Sequence, residues 1–165
     1  MRWSIFTQLW LFTVIGAALG VGCGEVGPTP TVTIVEVTPE ALDTGDDTAD
    51  DLRIVVEYTD GDGDLGEGWA EVHDCRAPDV VTYLDIPAIA SEEAVAAGVP
   101  IEGNLSLQVN DIGALPAGAG SAVCEELGVG ELDPDTVVFC VILVDAAGNE
   151  SVGDCTDAIP VSPGG

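Results

Sequence analysis

Residues 52–74 read LRIVVEYTDGDGDLGEGWAEVHD, two apolar runs around a glycine-rich loop that carries Asp60, Asp62 and Asp64 on alternate positions. The flanks decide the architecture. LRIVVEY and WAEVHD have the composition and length of strands, rich in β-branched and aromatic residues and too short for helices. Against the calcium loop of a helix–loop–helix hand, the three aspartates fill positions 1, 3 and 5 and Glu71 falls on position 12, but Leu65 takes position 6, where glycine is demanded. Such a hand also needs helices on both sides. The stretch therefore reads as a loop between two strands. Its carboxylates either face water as part of a plain hairpin or gather a hard cation such as calcium.

The same strand pattern recurs at 31–38, 80–86, 105–109, 136–144 and 158–161, with Gly, Pro, Asn and Asp between the runs. Together with 52–58 and 69–74 this predicts an all-β fold, a single antiparallel β-sandwich of about seven strands over residues 31–162. One segment departs from it. SEEAVAAG, residues 91–98, predicts a helical turn with Ser91 as N-cap and Gly98 as its stop, Pro100 lying just beyond.

Near the end of the chain, VVFCVILVDAAGNES (residues 137–151) predicts a tight hairpin. Gly148 and Asn149 tolerate the left-handed conformation, and Asp145 can accept from backbone donors of its own turn. This stretch resembles the closing hairpin of bacterial immunoglobulin-like extracellular domains, which often end in an aspartate, two small residues and then Gly-Asn. The resemblance implies an immunoglobulin-like sandwich. In that architecture the loop after the second strand and the loop of the last hairpin share one pole. Asp145, with Glu150 nearby, would then join Asp60, Asp62 and Asp64 around calcium. The other acidic run, DTGDDTADD at 43–51, precedes strand 52–58 and falls at the opposite pole.

The chain has 165 residues, with 30 acidic side chains against 3 basic ones and a formal net charge of -27. Nucleic acid is excluded as a partner, because no cationic surface exists to displace counterions from phosphates. The absence of lysine closes Schiff-base chemistry, the phosphate-cradling lysine loop and the Ser-x-x-Lys hydrolases. With 47% hydrophobic residues the chain still has material for a core, so a folded domain in an acidic shell is expected.

At the other end, Arg2 precedes an uncharged stretch from Trp3 to Gly24, with small residues before Cys23. That is the order of an export signal. GAALGVGC resembles the lipobox of bacterial lipoproteins, although Gly20 stands where leucine is usual. The resemblance implies cleavage after residue 22 and lipidation of Cys23, and Gly24 fits the class sorted to the outer membrane. The expected organisation is a signal peptide at 1–22, a lipidated cysteine and Gly/Pro/Thr tether at 23–30, and the sandwich at 31–162. The partners would be the membrane, through the anchor, and an extracellular or periplasmic protein or glycan; ordinary secretion and an uncleaved membrane-spanning helix are the alternatives.

With Cys23 acylated, four cysteines remain in an oxidising compartment, which favours two disulfides. If Asp145 and Glu150 flank the closing loop, opposite hairpin positions have numbers that total 295, as 140 and 155 do. Cys140 would then pair with Cys155, leaving Cys75 for Cys124. Catalytic constellations are weak. His73, Asp74 and Cys75 are sequence neighbours that a strand throws to opposite faces, and GAGSAVC around Ser121 lacks the second glycine of a nucleophile elbow. The chain is read as non-enzymatic, a hydrolase with paired carboxylates being a further alternative. Trp69, the tryptophan outside the signal segment, is expected in the core, with a sugar-stacking surface as the other option.

Overall fold

A computed structural model describes residues 27–43, 50–78, 80–112 and 120–162. The signal segment 1–22, Cys23, the start of the tether and residues 44–49 of the acidic run lie outside the described residues. Along the chain come β1 (Thr31–Thr38), β2 (Leu42–Asp43), β3 (Asp50–Asp60), β4 (Trp69–Asp74), β5 (Val81–Asp85), α1 (Glu92–Ala96), β6 (Ile101–Ile112), α2 (Ala122–Glu126), β7 (Thr136–Val137), β8 (Phe139–Val144), β9 (Asp154–Cys155) and β10 (Ile159–Ser162).

The architecture is an all-β sandwich. One antiparallel sheet has the order β1-β3-β6, the other β5-β4-β8-β9. In β3, Leu52, Ile54, Val56 and Tyr58 are buried while Arg53, Val55 and Glu57 are not, so even numbers face the core. From the facing sheet, Ala70 and Val72 of β4 and Phe139, Val141 and Leu143 of β8 enter the same cluster. Each of the larger side chains, Val72, Phe139, Val141 and Leu143 among them, contributes roughly 1.5–3 kcal/mol by leaving water. A small third sheet, β2-β10-β7, adds Leu42, Val137 and Ile159 to the core, and its β2–β10 pair is parallel.

Several expectations are corrected. The 60–68 loop is not a hairpin: β3 pairs with β1 and β6, whereas β4 pairs with β5 and β8, so the loop crosses from one sheet to the other. It must span the gap between stacked sheets, about 10 Å. Trp69 is not a core residue. Ala70 and Val72 take the inward positions of β4, which turns Trp69 to the outer face, where it is 36% exposed. The apolar run 136–144 serves two sheets, β7 pairing with β10 and β8 with β4.

The segment carrying α2 was not legible as helix; the disulfide Cys75–Cys124 pins it over the outer face, where Leu127, Val129 and Leu132 pack on Cys140. By contrast α1 forms as its sequence dictates, with Ser91 Oγ accepting the Ala94 amide at 3.3 Å and Gly98 leaving the helix at φ +61°.

Candidate metal centre

The strand periodicity of β3 does not stop at Tyr58. Asp60, the next even position, continues the core-facing column and is fully buried. On β8 the inward column is Phe139, Val141 and Leu143, and the next odd position is Asp145, also fully buried. Each sheet thus ends one core column in an aspartate, and the two face each other at one end of the sandwich. Asp62 and Asp64 come from the crossing loop, and one carboxylate oxygen from each of the four residues lies within 4.8 Å of the others. The sequence reading brought these four together. What it missed was burial, which the parity of LRIVVEYTD and FCVILVD could have revealed.

Local geometry holds the cluster open. Leu65, itself fully buried, donates its amide to Asp60 Oδ2 at 2.8 Å. Asn149 donates its amide and its side-chain Nδ2 to the two oxygens of Asp145, each at 2.8 Å. Gly63 adopts φ +78°, and a Cβ there would stand 2.3 Å from the Val99 carbonyl oxygen, so the 86–100 connection closes over the loop. Three of the other five carboxylate oxygens have no such support. Asp60 Oδ1, Asp62 Oδ1 and Asp64 Oδ1 are buried with no hydrogen-bond partner among the described residues.

Buried carboxylate oxygens without partners are costly, and these three sit together. Two charges 4.8 Å apart at an effective dielectric of ~20 repel by roughly 3 kcal/mol, against under about 1 kcal/mol in water. Burial of these oxygens thus makes their mutual repulsion stronger than a fully water-facing loop would have it. Protons respond accordingly: burial, then the charges of Asp145 and Asp62, pushes Asp64 up to about 6. Asp60 is also raised, chiefly by burial, although the Leu65 amide opposes the shift. The described basic side chains are engaged elsewhere, Arg53 with Glu36, Arg76 with Asp74 at 2.6 Å and His73 with Glu71 at 3.2 Å.

What fits is a hard divalent cation. Calcium takes six to eight oxygens at 2.3–2.6 Å in flexible geometry, so ligands on opposite sides of it stand about 5 Å apart. Magnesium needs a tighter octahedron and keeps its waters. Glu150, expected nearby, is absent from the cluster and exposed beside its bridge to Val144, while Glu71, position 12 of the hand-type loop that the strand flanks rule out, points to the outer face, where it accepts from Trp69 Nε1 at 3.0 Å.

No protein-family model, curated protein or solved structure matches this chain. The functional reading rests on its own residues.

The remaining chemistry-bearing residues have other occupations. Asp74 accepts from the backbone amide, Nε and an Nη of Arg76, and Cys75 is bonded to Cys124, so His73, Asp74 and Cys75 serve three different partners. Ser121 is buried at the start of α2. Both disulfides are those the spacing suggested, Cys75–Cys124 and Cys140–Cys155, but the register behind the second is different. The hairpin starts with Val144 opposite Glu150 and Ser151 bonded to Leu143, a total of 294, and an extra residue at Val152–Gly153 then brings Cys155 opposite Cys140.

Proposed function

We propose that this chain is a non-catalytic, lipid-anchored cell-envelope protein whose immunoglobulin-like sandwich is a calcium-dependent binding module. Calcium would be held by Asp60, Asp62, Asp64 and Asp145, locking one pole of the domain. The observation that carries the reading is the trio of buried carboxylate oxygens without partners, converging on a fourth buried aspartate from the opposite sheet. Bound there, the ion supplies the charge that the protein does not. Asp60 and Asp145 belong to different sheets, so a shared ion ties the sheets together and fixes the loop that leads into Trp69. The Gly/Pro/Thr tether enters β1 at that same pole, where Thr31 pairs with Thr59 beside Asp60, so the lipid at Cys23 would keep the cluster on the membrane-proximal side of the domain, the ligand being an extracellular or periplasmic macromolecule.

Thermal melting in calcium and in chelator tests this. At calcium about 100 times the dissociation constant, stability should rise by ~2.7 kcal/mol, a midpoint shift of roughly 10 °C. An unchanged midpoint up to millimolar calcium removes the calcium reading. Mass spectrometry of the membrane-extracted chain tests the anchor: diacylglycerol on Cys23 is expected, and an unmodified cysteine points to secretion instead.

A further inference from the structure

We propose that the open half of the outer face of the β5-β4-β8-β9 sheet, built on Trp69, Glu71, Tyr83 and Asp85, binds an arginine-bearing basic segment of a partner polypeptide. This rests on the reading of the chain as a binding module but uses a surface distinct from the cation cluster. In the β4–β5 register Trp69 stands opposite Asp85 and Glu71 opposite Tyr83, so two aromatics and two carboxylates alternate around one patch. The aromatics are diagonal neighbours, within mutual reach of large side chains. Trp69 is 36% exposed and Tyr83 65%. Farther along the same face, Leu127, Val129 and Leu132 of the disulfide-pinned segment cover Cys140, which confines the open area to the end beside Asp145.

The patch is organised before any ligand arrives. Glu71 Oε1 accepts the indole N–H of Trp69 at 3.0 Å, and its Oε2 lies 3.2 Å from His73 Nε2, so a half-buried carboxylate orients the tryptophan ring. With that N–H committed, the patch presents the negative faces of two rings and carboxylate acceptors, with the Tyr83 hydroxyl as its one side-chain donor among these four residues. Such a surface is complementary to a cation. A neutral glycan would find acceptors and stacking faces but little to satisfy its own oxygens.

The cation must come from another molecule. The chain has no lysine and a net charge of -27, and the arginines among the described residues already pair with Glu36 and Asp74. Guanidinium suits the patch better than ammonium: it is planar, stacks on aromatic faces and can reach a carboxylate with two N–H groups at once. The acidic shell would add steering, which raises the association rate and makes it fall with salt.

The test is the anisotropy of a fluorescein-labelled tetra-arginine peptide titrated with the full chain in saturating calcium. Saturable binding is expected, weakened about tenfold in Tyr83→Ala and in Asp85→Asn. Replacing arginine by citrulline should abolish it, and salt at about 0.5 M should weaken it strongly. Melting of the two variants, with and without calcium, serves as the folding control; both side chains are exposed, so both variants should keep the wild-type midpoint and its calcium response. Equal affinity for wild type and both variants would overturn the proposal, as diffuse attraction to the acidic shell. So would the absence of saturation, or salt-independent binding of cellotetraose that displaces the peptide. Loss of the calcium response with peptide binding intact would instead sink the cation reading alone.

Discussion

The backbone carbonyl of Asp64 accepts the amide of Ala146 at 3.1 Å, joining the loop between the sheets to the residue that follows Asp145. Two segments some eighty positions apart thus share a backbone hydrogen bond beside the carboxylate cluster. The four aspartates stand together at this junction. They are, however, held under repulsion, and the predictions turn on that.

Asp60→Asn should separate the two roles of the cluster. The amide oxygen can keep the Leu65 bond, while the new NH2 group can donate to a neighbouring carboxylate that now lacks a partner. Without calcium the variant is expected to gain about 1 kcal/mol over wild type. In calcium it should gain almost nothing further. A variant that retained the full calcium shift in melting would show that Asp60 is not a ligand.

The pH dependence has a definite sign. In calcium-free protein Asp64 titrates at about 6, above the unfolded value near 4, so the folded state binds more protons between those limits. Stability of the calcium-free form should therefore rise as pH falls from about 7 toward 4 through this group. Calcium needs the carboxylates ionised, so its stabilising effect should shrink over the same window. Melting curves at pH 7.5 and 5, with and without calcium, read both effects.

Gly68→Ala probes the crossing loop. A Cβ there would stand 2.0 Å from the Val144 carbonyl oxygen and 3.0 Å from Asp145 Cα, backbone atoms that cannot step aside. A loss of about 2–3 kcal/mol is expected, together with a weaker calcium response, because the displaced strand carries Asp145. Gly130→Ala, where nothing lies within 4 Å, should stay within about 0.5 kcal/mol. Denaturant midpoints of the two variants make the comparison.

The disulfides close loops with sequence separations of 49 and 15. On chain entropy, replacing Cys75 and Cys124 by alanine should cost about 4 kcal/mol and replacing Cys140 and Cys155 about 3 kcal/mol. Cys75 Sγ lies 3.4 Å from Cys140 Sγ, so the bonds share one apolar cluster and the two losses should not add. Urea unfolding of both double variants and of the quadruple variant tests the ranking and the coupling.

Much of this was legible in the residues. Apolar and period-two runs gave seven of the strands within a residue or two at one or both ends, and the middle of β6, because alternation of apolar residues reflects burial on one sheet face. Ser91 and Gly98 bounded a helix because capping is local. Strand flanks removed the hand-type calcium loop, and Asp145 could be placed beside Asp60 by architecture alone. Cysteine numbering chose the right partners, although the bulge at Val152–Gly153 shows that its assumed register did not hold.

What only the tertiary structure decided depends on groups far apart in the chain. Whether Asp60 is a solvated loop residue or a buried one with an unpartnered oxygen depends on the opposite sheet bringing Asp145 to it. Whether Trp69 enters the core or faces outward depends on Ala70 and Val72 filling the inward positions against β3's side of the sandwich. Composition and periodicity determined an acidic, disulfide-stapled β-sandwich with an aspartate loop between two strands. Desolvation is a property of packing, and it was packing that turned the loop's carboxylates from a water-facing turn into a candidate cation site.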